Sequence, residues 1–397
     1  MHDKRVEKIL AMEKARQKKV ISLIASENYV SADVLKALGS EMTNKYAEGY
    51  PGHRYYGGNV YADQIEKLCQ IRALKLFSLS ENAWAVNVQP LSGSPANIAV
   101  YGALVPLGGK IMGMSLDHGG HLTHGHRASL TGKWWVQVPY CVDKKTENLD
   151  YAELRRIAVS EKPAMIVAGF TAYPRIIDWK RMRGIADEAG ALLHVDMSHL
   201  AGLVAGGAYP SPFPYADTVM TTTHKTLRGP RGAIIFSRID SRELNKKIDK
   251  AVFPGIQGGP HLNQIAAIAV ALHEASKPAF SAYARHTVEN ASTLAKELAK
   301  HGWRTVSGGT DTHIVLLDTW MNGAGVSGDE ASRALERAGI IVNKNTIPYD
   351  QRNPMDPSGI RLGTSAETTR AKGKKDMIEI AKKINSVLQL ITRKHAR

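Results

Sequence analysis

Cysteine is nearly absent: Cys69 and Cys141 are the only two in 397 residues, too few for a disulfide framework or a cysteine-based zinc site. A reducing compartment is therefore expected. Long apolar runs are missing as well. The stretch IAAIAVAL at 265–272 stops well short of the roughly 20 residues that span a bilayer. The opening MHDKRVEKILAMEKARQKK is charged from Asp3 onward and has no apolar core segment, so it reads as neither a secretory signal nor a transit peptide. The expected location is the cytoplasm. Aromatics are sparse at 7%, whereas apolar residues make up 43% and charged residues 22%. That is the balance of a chain that buries a large core, and it excludes disorder and collagen.

Negative charge is also in short supply, and the formal net charge is +15. Residues 1–19 carry seven Lys/Arg against three Asp/Glu, and residues 371–397 carry eight against two. Two-thirds of the excess thus sits at the termini, which reads as two solvated basic helix faces. RNA binding is the alternative outside the enzymes, but no basic stripe with interleaved aromatics supports more than weak attachment.

Helical spacing is expected over 4–19 and 61–77, joined by TNKYAEGYPGHRYYGG, a Gly-, Tyr- and Pro-rich loop too polar for core. From residue 84 short apolar or β-branched runs begin: WAVNVQ, KIMGMS, WWVQVPY, AMIVAGF, ALLHVDM, TVMTTT and GAIIFS. Helical patterns at 151–161 and 178–191 separate several of them. The alternation predicts an α/β fold with a mostly parallel sheet covered by helices on both faces. GPHLNQIAAIAVALHEAS predicts a buried helix. An amphipathic helix over 284–301, the short strands WRTVS, THIVLLDT, IIVNKN and GIRLG, and a basic terminal helix then predict a smaller α+β domain. The expected organisation is an N-terminal arm with interface loops (1–75), a large α/β domain (76–280) and the small domain (281–397).

Three local signals carry chemistry. In TTTHKTLRGPRG, Lys225 ends a β-branched run before a Gly/Pro turn; a buried lysine there suits a Schiff base, although a surface lysine after an edge strand is as good a reading alone. In HVDMSHLAG, Asp196 ends an apolar strand, where it would face a ligand crevice and need a cationic partner such as a pyridinium; an N-capping aspartate is the plainer reading. In QPLSGSPAN, Ser94 is expected to cap a helix starting at Pro95, whose free N–H groups favour a phosphate, though capped turns are common. Together they match what pyridoxal phosphate requires of a protein.

With these segments, LIASENY, NKYAEGYPGHRYYGG, HGGHLTHG, FPGIQGGP, VNKNTIP and SGIRLGT run collinearly from about residue 20 to 370 and resemble the serine hydroxymethyltransferase family, pyridoxal-phosphate enzymes of the type I aspartate-aminotransferase fold. The resemblance implies that Lys225 carries the cofactor as a Schiff base and Asp196 partners its ring nitrogen. His121 would stack on the ring, with Thr171 and His199 near its phenolic oxygen. Gly93, Ser94 and His224 match the phosphate site, joined by Tyr46, Gly258 and Gly259 of a neighbouring subunit. Arg361 matches the residue that grips the substrate carboxylate; Ser26, Glu48 and Tyr56 match residues lent by the partner chain. Leu116, Gly120, Leu122 and Asn345 match folate-site positions. A homodimer with shared sites is implied, with a tetramer possible in the family.

The implied reaction moves the hydroxymethyl carbon of L-serine to tetrahydrofolate, leaving glycine and 5,10-methylenetetrahydrofolate. Threonine aldolase and α-methylserine hydroxymethyltransferase are alternatives on the same scaffold. Glu48 offers a carboxyl group to exchange a proton with the hydroxyl, and the threonines before Lys225, Thr222 among them, offer hydroxyls near the imine. The histidines at 118, 121, 124 and 126 lie in a glycine-rich segment with Asp117 the nearby carboxylate, so a metal site is not expected. Trp134 and Trp135, read as adjacent strand residues, should face opposite sides. Ser198, Met220, Ser365 and Ala371 depart from the family's usual residues, as does Thr171, where serine is more frequent.

Overall fold

The structure, a computed structural model, describes residues 2–395; Arg397, counted above in the basic tail, lies outside them. Contacts divide the chain into two units: Asn28–Arg285, and the residues up to Glu27 together with those from His286 onward.

The Asn28–Arg285 unit is built on a seven-stranded sheet. In chain order its strands are β1 (Trp84–Asn87), β2 (Lys110–Met114), β3 (Val136–Tyr140), β4 (Met165–Ala168), β5 (Leu192–Asp196), β6 (Thr218–Thr222) and β7 (Ala233–Arg238). Their spatial order is β1-β7-β6-β5-β4-β2-β3. β7 runs antiparallel to β1 and β6, while β2 pairs parallel with β3 and β4, β4 with β5, and β5 with β6. Every residue of β4 and β6 is buried, as continuous apolar or β-branched strands require when both faces are covered. Helices alternate with the strands. Tyr151–Glu161 is started by the Asp150 carboxylate, which accepts from Ala152 and Glu153 N–H, and Trp179–Ala189 by Asp178, which accepts from Arg181 N–H. Leu262–Ala275 buries nine of its residues, in agreement with its apolar composition.

Local boundaries depart from expectation in four places. The helix after β1 spans Gly93–Leu104 with Ser92 at its N-cap, so Ser94 is no cap and Pro95 is not its first residue. Proline is equally tolerated here because the first turn's N–H groups need no intrahelical acceptor. Trp134 ends a short helix, Thr131–Trp134, and β3 begins only at Val136. Strand alternation therefore does not apply; Trp135 is buried, donating Nε1–H to the Val105 carbonyl, and Trp134 is exposed. The Tyr-rich loop holds a small hairpin pairing Gly49–Tyr50 with His53–Arg54. The helix expected from 284 begins at Pro278 and runs to Lys300.

The other unit holds an antiparallel sheet of β8 (Arg304–Thr305), β9 (Ile314–Asp318), β10 (Asn343–Asn345) and β11 (Gly359–Gly363), ordered β8-β9-β11-β10. Leu294, Leu317, Leu335, Leu362, Met377 and Ile384 lie in its core. A capping box of Ser327 and Glu330 starts helix Gly328–Arg337. Ile21–Ser22 pairs parallel with Ile340–Ile341, and Gly363 N–H donates to the Leu23 carbonyl. This brings the chain just before Ser26 onto the sheet that carries Arg361. Helix Lys4–Lys19 has no buried residue.

Candidate active site

In the Asn28–Arg285 unit the carboxyl ends of the strands carry Asp196 on β5, Thr222 as the last residue of β6 with His224 and Lys225 in the turn after it, the His121 loop after β2 and Thr171 after β4. That edge is where open parallel sheets bind ligands.

Packing ties these segments together. A Cβ on Gly93 would lie 2.7 Å from Thr222 Cγ2, so only glycine lets the start of helix Gly93–Leu104 meet the Lys225 turn. Gly169, at φ +138°, backs onto the Asp196 carbonyl oxygen so closely that a Cβ would overlap it. Thr222 N–H donates to Ser198 Oγ at 3.0 Å, and Thr226 Oγ1 donates to the His199 carbonyl at 3.0 Å. Thr171 Oγ1 donates to the carbonyls of Gly119 (3.2 Å) and Gly120 (2.9 Å), fixing the loop that leads to His121. Two of the unusual residues touch: Ser198 Oγ lies 3.6 Å from Met220 Sδ.

Lys225 is buried, and its carbonyl accepts from Asn28 Nδ2 (2.9 Å) and Arg228 N–H (3.1 Å), so its backbone is held on both sides. Asp196 is buried too. Burial works against its charge, but His124 Nε2 at 3.2 Å, Asn97 Nδ2 at 3.0 Å and Ser198 N–H at 3.0 Å converge on the carboxylate, and the nearby His124, His121 and Lys225 side chains also favour its charged form. The net effect holds Asp196 well below the ordinary carboxylate range.

Two polar atoms beside Lys225, Thr222 Oγ1 and His224 Nδ1, are buried without a hydrogen-bond partner. Neighbouring threonines spend their hydroxyls on the backbone: Thr221 on the Thr222 carbonyl and Thr223 on the Pro230 carbonyl. Burial, with Lys225 and Arg231 nearby, pushes His224 down to about 3, so it is neutral at physiological pH. Helix Gly93–Leu104 has no side-chain cap, leaving its first N–H groups available to an anion. Unsatisfied buried donors and acceptors are costly, and a phosphate at Gly93, Ser94 and His224 would supply what they lack. The residues present fit pyridoxal phosphate.

A second cluster in the same unit holds Tyr46, Glu48, Tyr56, Gly258 and Gly259. Tyr46 OH donates to Glu48 Oε1 at 2.9 Å, which raises the Tyr46 phenol, and the Tyr46 and Tyr56 rings meet edge-on at 5.2 Å. Gly258 and Gly259 lie against Glu48. Arg54 anchors this cluster: its Nη1 donates to the carbonyls of Ala47 (2.9 Å) and Gly49 (2.7 Å), on either side of Glu48. The guanidinium is itself paired with Asp63 and the fully buried Glu66. Gln89 donates to Glu66 and to the Gly49 carbonyl.

Ser26, Arg361 and Asn345 belong to the other unit. Arg361, central in β11, donates Nε–H to Asn343 Oδ1 at 3.1 Å, and burial lowers it to about 10. It therefore stays cationic at neutral pH and would gain from a carboxylate. Asn345 Nδ2 donates to the Thr346 carbonyl. Leu116 opens the 3₁₀ turn 116–118, Gly120 packs against the Met114 carbonyl, and Leu122 is exposed. Among the described residues no cluster of three His, Cys, Asp or Glu could hold a metal ion, and no helix is long and apolar enough to cross a membrane. Reading the sequence alone missed Asn97, His124, Arg54 and Gln89, although Asn97 lies within SGSPAN, His124 within HGGHLTHG and Arg54 within GHRYYGG.

Residues 1–384 match the family described as serine hydroxymethyltransferase. The chain belongs to that family. It is 54% identical over 378 residues to a serine hydroxymethyltransferase of Koribacter versatilis (95% of this chain, 87% of the relative). It is 52% identical over 386 residues to one of Desulfotalea psychrophila (97% and 88%), and 55% identical over 374 residues to one of Acidobacterium capsulatum (94% and 86%). As a family member it is a pyridoxal-phosphate-dependent hydroxymethyl transferase with the expected α/β fold.

Proposed function

We propose that this chain, through Lys225 and Asp196, converts L-serine and tetrahydrofolate to glycine and 5,10-methylenetetrahydrofolate. The observation that carries the reading is the meeting, on one sheet edge, of an uncapped helix start, a carboxylate held ionised and a buried lysine. Pyridoxal phosphate supplies, when bound, an electron sink for the bond that breaks at the amino acid's Cα.

The side chains divide the work. Lys225 gives the amine for covalent attachment. Asp196 keeps a proton on the ring nitrogen; His121 packs on the ring, and Thr171 and His199 serve its phenolic oxygen. Gly93, Ser94 and His224 hold the phosphate, and Thr222 Oγ1, spent on no other group, is placed to move a proton beside Lys225. Arg361, with two parallel N–H donors, sets the amino acid's rotation about Cα, with Ser26 beside the same carboxylate. Glu48 exchanges a proton with the serine hydroxyl, supported by Tyr56. Leu116, Gly120, Leu122 and Asn345 receive the folate, and a need for folate in turnover separates this reading from threonine aldolase.

The active unit is a homodimer in which Tyr46, Glu48, Tyr56, Gly258 and Gly259 serve the partner's site, whereas Ser26, which follows residues packed on Gly363 of the same chain, stays with that chain's Arg361. Supporting this, Tyr46 and Tyr56 are 58% and 50% exposed. A cleft of about 480 Å³ lined by Met42, Ile65, Leu68 and Val270 opens beside them, and Val6, Ile9, Leu10 and Met12 project from helix Lys4–Lys19. So much exposed apolar surface marks an interface.

Borohydride reduction of the protein loaded with pyridoxal phosphate, followed by peptide mapping, tests the reading. The pyridoxyl group is expected on Lys225, and Lys225→Ala should lose both label and turnover. Label on another lysine would overturn the assignment.

A further inference from the structure

Behind Asp196 lies a buried hydrogen-bond chain whose proton positions follow by elimination. An ionised carboxylate only accepts, so the Asn97 group 3.0 Å from Asp196 Oδ2 is the NH₂. Asn97 Oδ1 then faces His194 Nε2 at 3.0 Å and must receive a proton from it. His194 is fully buried, and that burial pushes it down to about 3. It is therefore a neutral ring protonated at Nε2, and its Nδ1 accepts from Thr218 Oγ1 at 2.8 Å.

The second proton of the Asn97 amide goes to Thr123 Oγ1 at 2.8 Å. With that oxygen accepting, the Thr123 hydroxyl proton points to His121 Nδ1 at 2.7 Å, which also takes Thr123 N–H at 3.1 Å. An Nδ1 that accepts a backbone N–H carries no proton, so His121 is the neutral Nε2–H form. The same logic holds for His124: its Nδ1 accepts His121 N–H at 3.3 Å, and its Nε2–H donates to Asp196.

We propose that Asn97 is a positioning residue that joins Asp196 and His121 into one hydrogen-bonded unit, fixing the first as an ionised carboxylate and the second as the neutral Nε2–H imidazole. This rests on the functional reading above and deepens it: the groups assigned to the ring nitrogen and the ring face would be set together by one amide that touches neither cofactor nor substrate. The titratable groups around Asp196 are His121, His124, His194, Lys225 and Tyr101. Asn97 is the uncharged residue that links the carboxylate to two of those histidines.

Ring ¹⁵N shifts of the full-length protein without cofactor, at mildly alkaline pH, test the proton assignments. His121, His124 and His194 should each show a single Nε2–H tautomer. Asn97→Asp keeps the shape but puts an acceptor against Asp196, so the two carboxylates must share a proton, and the His121 and His194 signals should move. In the loaded protein the same variant should give a visible absorbance that titrates with pH, and kcat lower by about ten- to a hundred-fold at little-changed KM for serine, the scale of one hydrogen bond to a charge. Thr123→Val cuts only the branch to His121; its signals should move while those of His194 stay.

Unmoved His121 signals in Thr123→Val would overturn the proposal, as would an Asn97→Asp protein with wild-type ring shifts and absorbance. Failure of the wild-type chain to take up pyridoxal phosphate would sink the functional reading instead, and the unloaded protein's shifts would still decide this one.

Discussion

Asp196 shows how a buried charge is kept: removal from water favours the neutral acid, and three donors with a nearby lysine reverse the balance. Arg361 is the complementary case, a cation lowered by burial and still charged. Arg361→Lys should raise KM for serine by about ten- to a hundred-fold, because a lysine cannot reproduce the paired donors of a guanidinium. Cofactor content, read by absorbance, should stay at wild type, and an unchanged KM would remove Arg361 from the carboxylate site. Lys225 and Asp196 could be read in the sequence because Asp196 ends a strand and Lys225 follows one by three residues, each inside a short, unusual segment. Asn97 and His124 could not, since they reach Asp196 from 99 and 72 residues away, a separation that closes only when the sheet forms.

At the scale of elements, the alternation of apolar strands with helical patterns was legible because period and composition are local. Ends were less so. The Gly93 helix starts two residues before the expected proline, since Ser92 supplies the extended N-cap conformation. The hairpin within the tyrosine-rich loop was hidden because it is held by Arg54, Asp63, Glu66 and Gln89 rather than by an apolar face. Burial pushes Glu66 up against the pull of Arg54. Arg54→Met should therefore cost about 3–5 kcal/mol, because it leaves a buried carboxyl without its partner. Arg54→Met with Glu66→Met should recover part of the loss. Denaturant midpoints read both, and a single variant as stable as wild type would show that the pair does not organise the loop.

For the whole molecule, the proposed shared-site dimer would make inactive chains complementary. Lys225→Ala and Glu48→Gln subunits, each inactive alone, should regain activity when exchanged, because every hybrid has one doubly damaged site and one intact site. Random reassortment makes half the dimers hybrids, so roughly a quarter of wild-type activity should return. No recovery after verified exchange would place Glu48 in its own chain's site. The excess positive charge at the termini could be counted from composition, but its function could not be read, because nothing in its spacing selects a partner. The central claim is the coupling of an amino acid to folate on one cofactor, and its most direct test is the visible spectrum of the purified protein with glycine, before and after tetrahydrofolate. The account predicts a yellow protein that gains a strong longer-wavelength band only when both are present; a spectrum indifferent to folate would contradict it.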